Sequence, residues 1–398
     1  MSKYIQMSNL QTMSSQSVVH RRLPNFEILR VLAMFLIIVG HFFSHGLCGE
    51  GNGVMLSYDG MSVLDTVSFG IAQSLWVFSS ISVNLYVLIS GYFLVQSKAK
   101  WGKIPSIWMQ TAFYSVCIYL VFVAIGLGEV RFSIKGFISS ILVVRYGAVA
   151  DRTYWFVAQY VGLLALSPFL NRLVAVLTKV EYKTLIIVLL LLDFSFGYVF
   201  YGNVYSGGQT LFHFILVYFI AGYIRHYQLF GTWSKRKLLG VCAIVIVAVV
   251  ALDYVYCLTH CIKHQETFQL HLSSRYLNNN GIPLVLAVFV FCVVQRASIG
   301  DSRLVRFLVA VAPFSFGVYL MHDNIYVRGW LWRLVTSYMS FSPSNVVLCS
   351  LSVALSIYAV CTGIDMLRAL AFRSLRIEVL AEKIVSLAGR LVGLVVYK

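Results

Sequence analysis

Charge is scarce in this chain: of its 398 residues only 12% are Asp, Glu, Lys or Arg, against about 25% in soluble domains. That excludes a water-soluble globular protein. Acidic residues are scarcer still, with 15 Asp+Glu against 31 Lys+Arg and a formal net charge of +16. There are only 6 prolines, and apolar stretches recur almost to the C-terminus, so disordered and fibrous classes fail. The 8 cysteines do not make a disulfide scaffold. Cys117, Cys242, Cys292, Cys349 and Cys361 fall inside apolar stretches and read as small packing residues. No fixed-period repeat is visible, so a transporter built from inverted repeats has no support. The first apolar run, 28–43, carries Arg30 and His41 and lacks a small-residue cleavage site after it, which argues against a signal peptide.

What the chain does have is apolar surface, with 59% hydrophobic residues and a mean hydropathy of +0.81. This is an all-α, polytopic membrane protein. At roughly 20 residues per span, about ten transmembrane helices are expected. They fall near 26–46, 75–95, 104–127, 154–173, 185–201, 211–227, 238–256, 282–294, 305–327 and 346–367. The cations Arg21/Arg22, Lys98/Lys100/Lys103, Lys179/Lys183, Arg225/Lys235/Arg236/Lys237, Arg296/Arg303/Arg306 and Arg368/Arg373/Arg376 occupy alternate gaps. Cations in short loops stay on the inner side, so both termini are expected to be cytoplasmic. Arg131, Lys135, Arg145, Arg328 and Arg333 are exceptions on the outer side. Because the positive charge lies between apolar runs, it reports topology and not nucleic-acid binding. Residues 1–24 read as a polar cytoplasmic tail, 25–370 as the transmembrane domain, and 371–398 as an amphipathic helix on the inner membrane surface, with Leu380, Ile384, Leu387, Leu391 and Leu394 at helical spacing.

An ionisable group inside a span costs at least about 2.5 kcal/mol, so each needs a reason. The first span holds Glu27, Arg30, His41 and His45, and the ninth holds His322 and Asp323. Asp193, His213 and Asp253 are expected at outer ends, in reach of water. Arg30 and His41 lie 11 residues apart, which puts them about 16 Å apart on nearly one helix face. A histidine at that depth can take and return a proton near neutral pH. His322 is expected at a similar level, so the two imidazoles could line one cavity.

Four segments together resemble the integral-membrane acyltransferase family 3, whose members O-acylate cell-surface polysaccharides and other extracytoplasmic acceptors. They are Asn25-Phe26-Glu27-Ile28-Leu29-Arg30 through Gly40-His41; Val83-Asn84-Leu85-Tyr86 through Ser90-Gly91-Tyr92-Phe93-Leu94; Tyr154-Trp155-Phe156 with Leu166-Ser167-Pro168-Phe169-Leu170; and Phe314-Ser315-Phe316-Gly317-Val318-Tyr319-Leu320-Met321-His322. The resemblance implies a cytoplasmic acetyl-CoA donor and an extracytoplasmic glycan acceptor. It makes His41 the general base and His322, or a main-chain amide near it, the stabiliser of the oxyanion. Arg30 with Lys98, Lys100 and Lys103 would meet the donor phosphates. Many members carry paired arginines where this chain has those lysines, and lysine lacks the planar fork of arginine. Glu27, Asn84, Trp155 and Trp330 are the expected substrate contacts, Trp330 with Trp332 as outer-face rings that could stack on sugar. The rival class is a proton-coupled transporter or flippase for a glycan or lipid-linked sugar, using the same buried Arg and His.

Two weaker patterns carry less. Gly300-Asp301-Ser302 matches a soluble esterase tripeptide but has no soluble domain around it, so Asp301 reads as a loop residue. Cys257, His260, Cys261 and His264 recur at helical spacing but lack the usual two-plus-two separation of a zinc site, and no metal is expected.

Overall fold

The computed structural model describes residues 23–47, 62–97, 101–143, 154–195, 207–264, 279–342 and 344–392. Among them there are helices and no strand. Seven stretches are long and apolar enough to cross a membrane: Pro24–Leu47, Val63–Leu94, Lys103–Ile125, Trp155–Val176, Lys235–Cys257, Arg303–His322 and Val346–Ser374. Three shorter helices, Lys179–Phe194, Leu211–Tyr227 and Ile282–Gln295, fall where the remaining spans were expected. The chain is therefore an all-α, multi-pass membrane protein.

Helix α1, Pro24–His41, begins with Pro24 in its first turn, where a missing N–H costs nothing. It passes directly into a π-helical turn, Phe42–Leu47. Helix α2, Val63–Ser80, opens on a reciprocal cap in which Ser62 Oγ accepts from the Asp65 amide (3.2 Å) and the Asp65 carboxylate accepts from the Ser62 amide (3.1 Å). It continues through Ile81 into α3, Ser82–Leu94. Then follow α4 (Lys103–Ile125), the short α5 (Ile134–Leu142), α6 (Trp155–Val176), α7 (Lys179–Phe194), α8 (Leu211–Tyr227), α9 (Lys235–His264) and α10 (Ile282–Gln295). The ninth span is built in pieces: α11 (Arg303–Val311), a 3-10 turn at Ala312–Phe314 holding Pro313, and α12 (Ser315–His322). It ends at His322, short of the expected 327, because Asn324 starts a new helix, α13 (Ile325–Tyr338), by accepting from the Tyr326 amide at 3.0 Å. Helices α14 (Val346–Ser374) and α15 (Ile377–Val392) complete the chain.

Two buried clusters share α1. Phe26, Leu29 and Ala33 pack with Leu88, Phe214, Val217 and Phe291 from α3, α8 and α10. Ile38, Val39, Phe42 and Phe43 pack with Val318, Leu320, Trp332 and Ala354 from α12, α13 and α14. Most of helix α1 is thus covered, with Leu32 left exposed, whereas α9 and α14 leave Ile244, Val247, Leu252, Leu355 and Val360 exposed, as lipid-facing helices should. Helix α15 likewise exposes Leu380, Ile384 and Leu387 and lies near the start of α4, with Glu382 Cγ 3.4 Å from where a Cβ on Gly102 would sit.

Two glycines in the segments that carry the resemblance owe their identity to close approach. A Cβ on Gly91 would lie 2.9 Å from the Ala221 Cβ, where α3 meets α8. A Cβ on Gly317 would land on the carboxylate of Asp365. That carboxylate is fully buried and held by Tyr114 Oη (2.5 Å), Arg368 Nε (2.8 Å) and Arg368 Nη2 (3.0 Å). It joins α4, α12 and α14 at a single point.

A second polar knot corrects the expectation that water accounts for Asp193 and His213. Both are buried. His213 contacts Asp193 Oδ2 through Nδ1 (3.0 Å) and Asn84 Oδ1 through Nε2 (2.8 Å), while Asn84 Nδ2 donates to the Asn279 carbonyl (2.6 Å). Three helices and the segment before α10 are tied there, because buried polar groups must be paired within the protein. Asp253 is buried too.

Candidate active site

The site is built where α1 gives way to its π-helical turn. Such local under-winding re-aims side chains and recurs at functional positions. His41 is the last α-helical residue, and its Nδ1 lies 3.1 Å from His322 Nε2. The two residues are 281 positions apart in the chain, and α1 and α12 carry them to one level.

Hydrogen placement follows by elimination. His322 Nδ1 is 2.7 Å from the Val318 carbonyl oxygen, which can only accept, so this nitrogen carries the hydrogen. In the neutral ring His322 Nε2 is then an acceptor, and His41 Nδ1 must be the donor to it. The lone pair of neutral His41 is thereby left on Nε2, the nitrogen turned away from His322. A base needs that free lone pair. Both nitrogens of His322 are spent, one on Val318 and one on His41, so its ring has no hydrogen to offer an oxyanion; the expectation of that role for His322 is corrected on this point.

Charge surrounds the pair. Asp323 Oδ1 lies 3.9 Å from His41 Nδ1 and 3.5 Å from Arg328 Nη1. Arg328, one of the cations that broke the inside-positive pattern, has a side chain only 9% exposed, and its ion pair with Asp323 gives the exception a local cause. The ring of His45 stands 5.1 Å from that of His41. His41, His45 and Asp323 bring three possible ligand atoms within 4.8 Å of one another, but a guanidinium beside the carboxylate opposes a cation there.

Tyr154 anchors the end of α12. Its hydroxyl donates to the Leu320 carbonyl (2.7 Å) and accepts from Asn324 Nδ2 (2.8 Å). Its own backbone sits in the left-handed region, with φ 56°, an unfavourable setting for a residue with a Cβ. Sequence reasoning chose the neighbouring Trp155. That ring instead packs edge-on against Phe156 and Phe214, at 6.1 Å each. The signal for Tyr154 was present in the Tyr-Trp-Phe segment, but which of three aromatics reaches the site depends on the turn that starts α6.

Other expected residues take varied places. Arg30 Nη1 bonds Glu27 Oε2 at 2.6 Å, and Tyr86 Oη donates to the Arg30 carbonyl at 2.8 Å. Glu27 is thus the partner of Arg30 and 8% exposed, a structural position different from the expected substrate contact. Asn84 is not open to substrate either: both ends of its amide are used inside the protein and it is fully buried. Trp330 is half-buried with its ring 6.0 Å from Phe122. Trp332 is fully buried against Phe42 and Gly46, so it cannot stack on a sugar. Lys103 begins α4 and is exposed, while Lys98 and Lys100 lie outside the described residues, as do the side chains of His260, Cys261 and His264. At the same end of the bundle, Arg225 donates from Nε to Gln96 Oε1 (2.8 Å) and from Nη1 to Tyr92 Oη (2.9 Å). A guanidinium from α8 is thereby fixed beside the end of α3.

Residues 23–361 match the family described as Acyltransferase domain, acyltransferase family 3. The chain belongs to this family. The matched stretch takes in His41, Tyr154, His322 and Arg328, and ends within α14, so α15 lies beyond it. No curated protein and no solved structure matches the chain. The membrane acyltransferase therefore carries its paired histidines inside the family's own domain.

Proposed function

We propose that the protein is an O-acyltransferase of the cell's inner membrane that moves an acetyl group from cytoplasmic acetyl-CoA to a hydroxyl of an extracytoplasmic glycan. The observation that carries this reading is the 3.1 Å contact between His41 Nδ1 and His322 Nε2, which leaves the His41 Nε2 lone pair free. An acyltransferase needs such a base to remove the hydroxyl proton as the oxygen attacks.

The steps follow from these groups. His41 Nε2 takes the acceptor's proton while its oxygen forms a bond to the thioester carbonyl carbon, and the carbonyl electrons move onto oxygen. Collapse of that oxyanion breaks the C–S bond, and His41 returns the proton to the departing thiolate. His322 holds His41 in the required tautomer. Asp323, 3.9 Å from His41, favours the transient imidazolium. Arg30 on the inner half of α1, with Lys103 and Arg225 at that end of the bundle, would meet the phosphates of the donor.

Purified protein in detergent is given radiolabelled acetyl-CoA, with His41→Ala and Arg30→Ala in parallel. Donor consumption that is abolished in His41→Ala and needs higher acetyl-CoA in Arg30→Ala supports the reading. A folded wild-type protein that neither binds nor consumes acetyl-CoA overturns it in favour of transport or another donor.

A further inference from the structure

Among the described residues, Tyr319 presents a hydroxyl that is buried and has no hydrogen-bond partner. The residue is 6% exposed. Burying an unpaired hydroxyl costs about 1–3 kcal/mol, so a native protein rarely keeps one without a use. The main-chain N–H of Phe156 is turned toward its oxygen, and an N–H cannot accept the hydroxyl's hydrogen. That hydrogen is held ready and unspent.

Its place is at the candidate site. Tyr319 precedes His322 by one helical turn, which puts the two on adjoining positions of one face. The ring centroids of Tyr319 and His322 are 6.4 Å apart, and Tyr154 flanks the same ring at 6.1 Å. The hydroxyl also lies within the fields of Asp323 and Arg328. His322 itself has no hydrogen left for an oxyanion, because Val318 and His41 use both of its nitrogens. The mechanism needs a donor there, since the carbonyl oxygen gains a full charge as the tetrahedral intermediate forms.

We infer that Tyr319 is a catalytic residue whose hydroxyl donates a hydrogen bond to the thioester oxyanion. This rests on the acyl-transfer reading above. In the ground state the O–H waits unpaired. It is satisfied only when the acceptor oxygen bonds to the carbonyl carbon, and it returns to its unpaired state when the C–S bond breaks. An interaction made in the transition state and absent beforehand raises kcat and leaves ground-state binding alone.

The test is Tyr319→Phe, with His41→Ala alongside. Turnover of acetyl-CoA is expected to fall about 10²-fold, with an unchanged KM for acetyl-CoA. Thermal stability in detergent should stay close to that of the wild type, because the hydroxyl's own hydrogen has no partner to lose, while the Phe156 N–H loses the oxygen it faces. Incorporation of 3-fluorotyrosine at position 319, a more acidic phenol, should keep turnover near or above the wild-type value. Full turnover in Tyr319→Phe with a dead His41→Ala overturns the inference and leaves the acyltransferase reading in place. A Tyr319→Phe protein that loses stability together with activity, or whose KM alone changes, also overturns it. Active His41→Ala instead sinks the assignment of the base.

Discussion

At the scale of single residues, the site turns on which atoms still have a lone pair or a hydrogen to give. His41 keeps one lone pair because His322 occupies its other nitrogen, and His322 can do so only because Val318 fixes its tautomer. His41→Ala should lower turnover by about 10²–10⁴-fold, the usual worth of a positioned base, in the donor-consumption assay. His322→Gln places an amide oxygen where it can still accept from His41 Nδ1, and His322→Leu does not. The Gln variant should therefore retain more turnover than Leu, measured at saturating acetyl-CoA, and equal losses would argue against the orienting role. That Arg30 and His41 share one helix is legible from their spacing alone. The partnership of His41 with His322 was legible only as a shared depth, because depth follows from counting residues along each span, whereas contact depends on how the helices meet.

At the scale of elements, the bundle is closed by two buried polar knots. Asp365 draws α4, α12 and α14 together through Tyr114 and Arg368, and Gly317 leaves room for its carboxylate. Arg368→Ala strands a buried carboxylate and should cost about 3–5 kcal/mol, read as a lower thermal midpoint in detergent. Gly317→Ala should lower the midpoint as well, with loss of the same knot, because the added methyl and the carboxylate cannot share that space. The Asp193–His213–Asn84 knot is not legible in the sequence, for a simple physical reason. A residue's position along a span says how near it is to the membrane surface, and not whether neighbouring helices cover it. The segment around Asn84 suggests a substrate contact, whereas its amide is consumed by His213 and Asn279.

At the scale of the whole molecule, the cation pattern and the helix order describe one topology. Cysteines introduced into an otherwise cysteine-free protein test it. In intact cells, Glu129→Cys, after α4, should react with a membrane-impermeant thiol reagent, and Ser234→Cys, before α9, should react only after permeabilisation; the reverse pattern would invert the orientation. The matched domain closes within α14, and α15 continues past it with Leu380, Ile384 and Leu387 exposed. That helix lies beside the start of α4.

The sequence by itself determined the class of the protein: scarce charge, recurrent apolar spans and alternating cations leave an all-α membrane protein. Four short segments pointed to its acyltransferase family. It also singled out Arg30, His41 and His322, because an ionisable group in a span needs a reason wherever the other helices stand. Only the tertiary structure decided which nitrogen of His41 is free, that Arg328 is paired with Asp323, that Asn84 is spent on the fold, and that the Tyr319 hydroxyl is not. Periodicity and charge placement are local properties of the chain. Whether a polar atom is already satisfied depends on partners brought from distant helices, such as the one 281 residues away from His41.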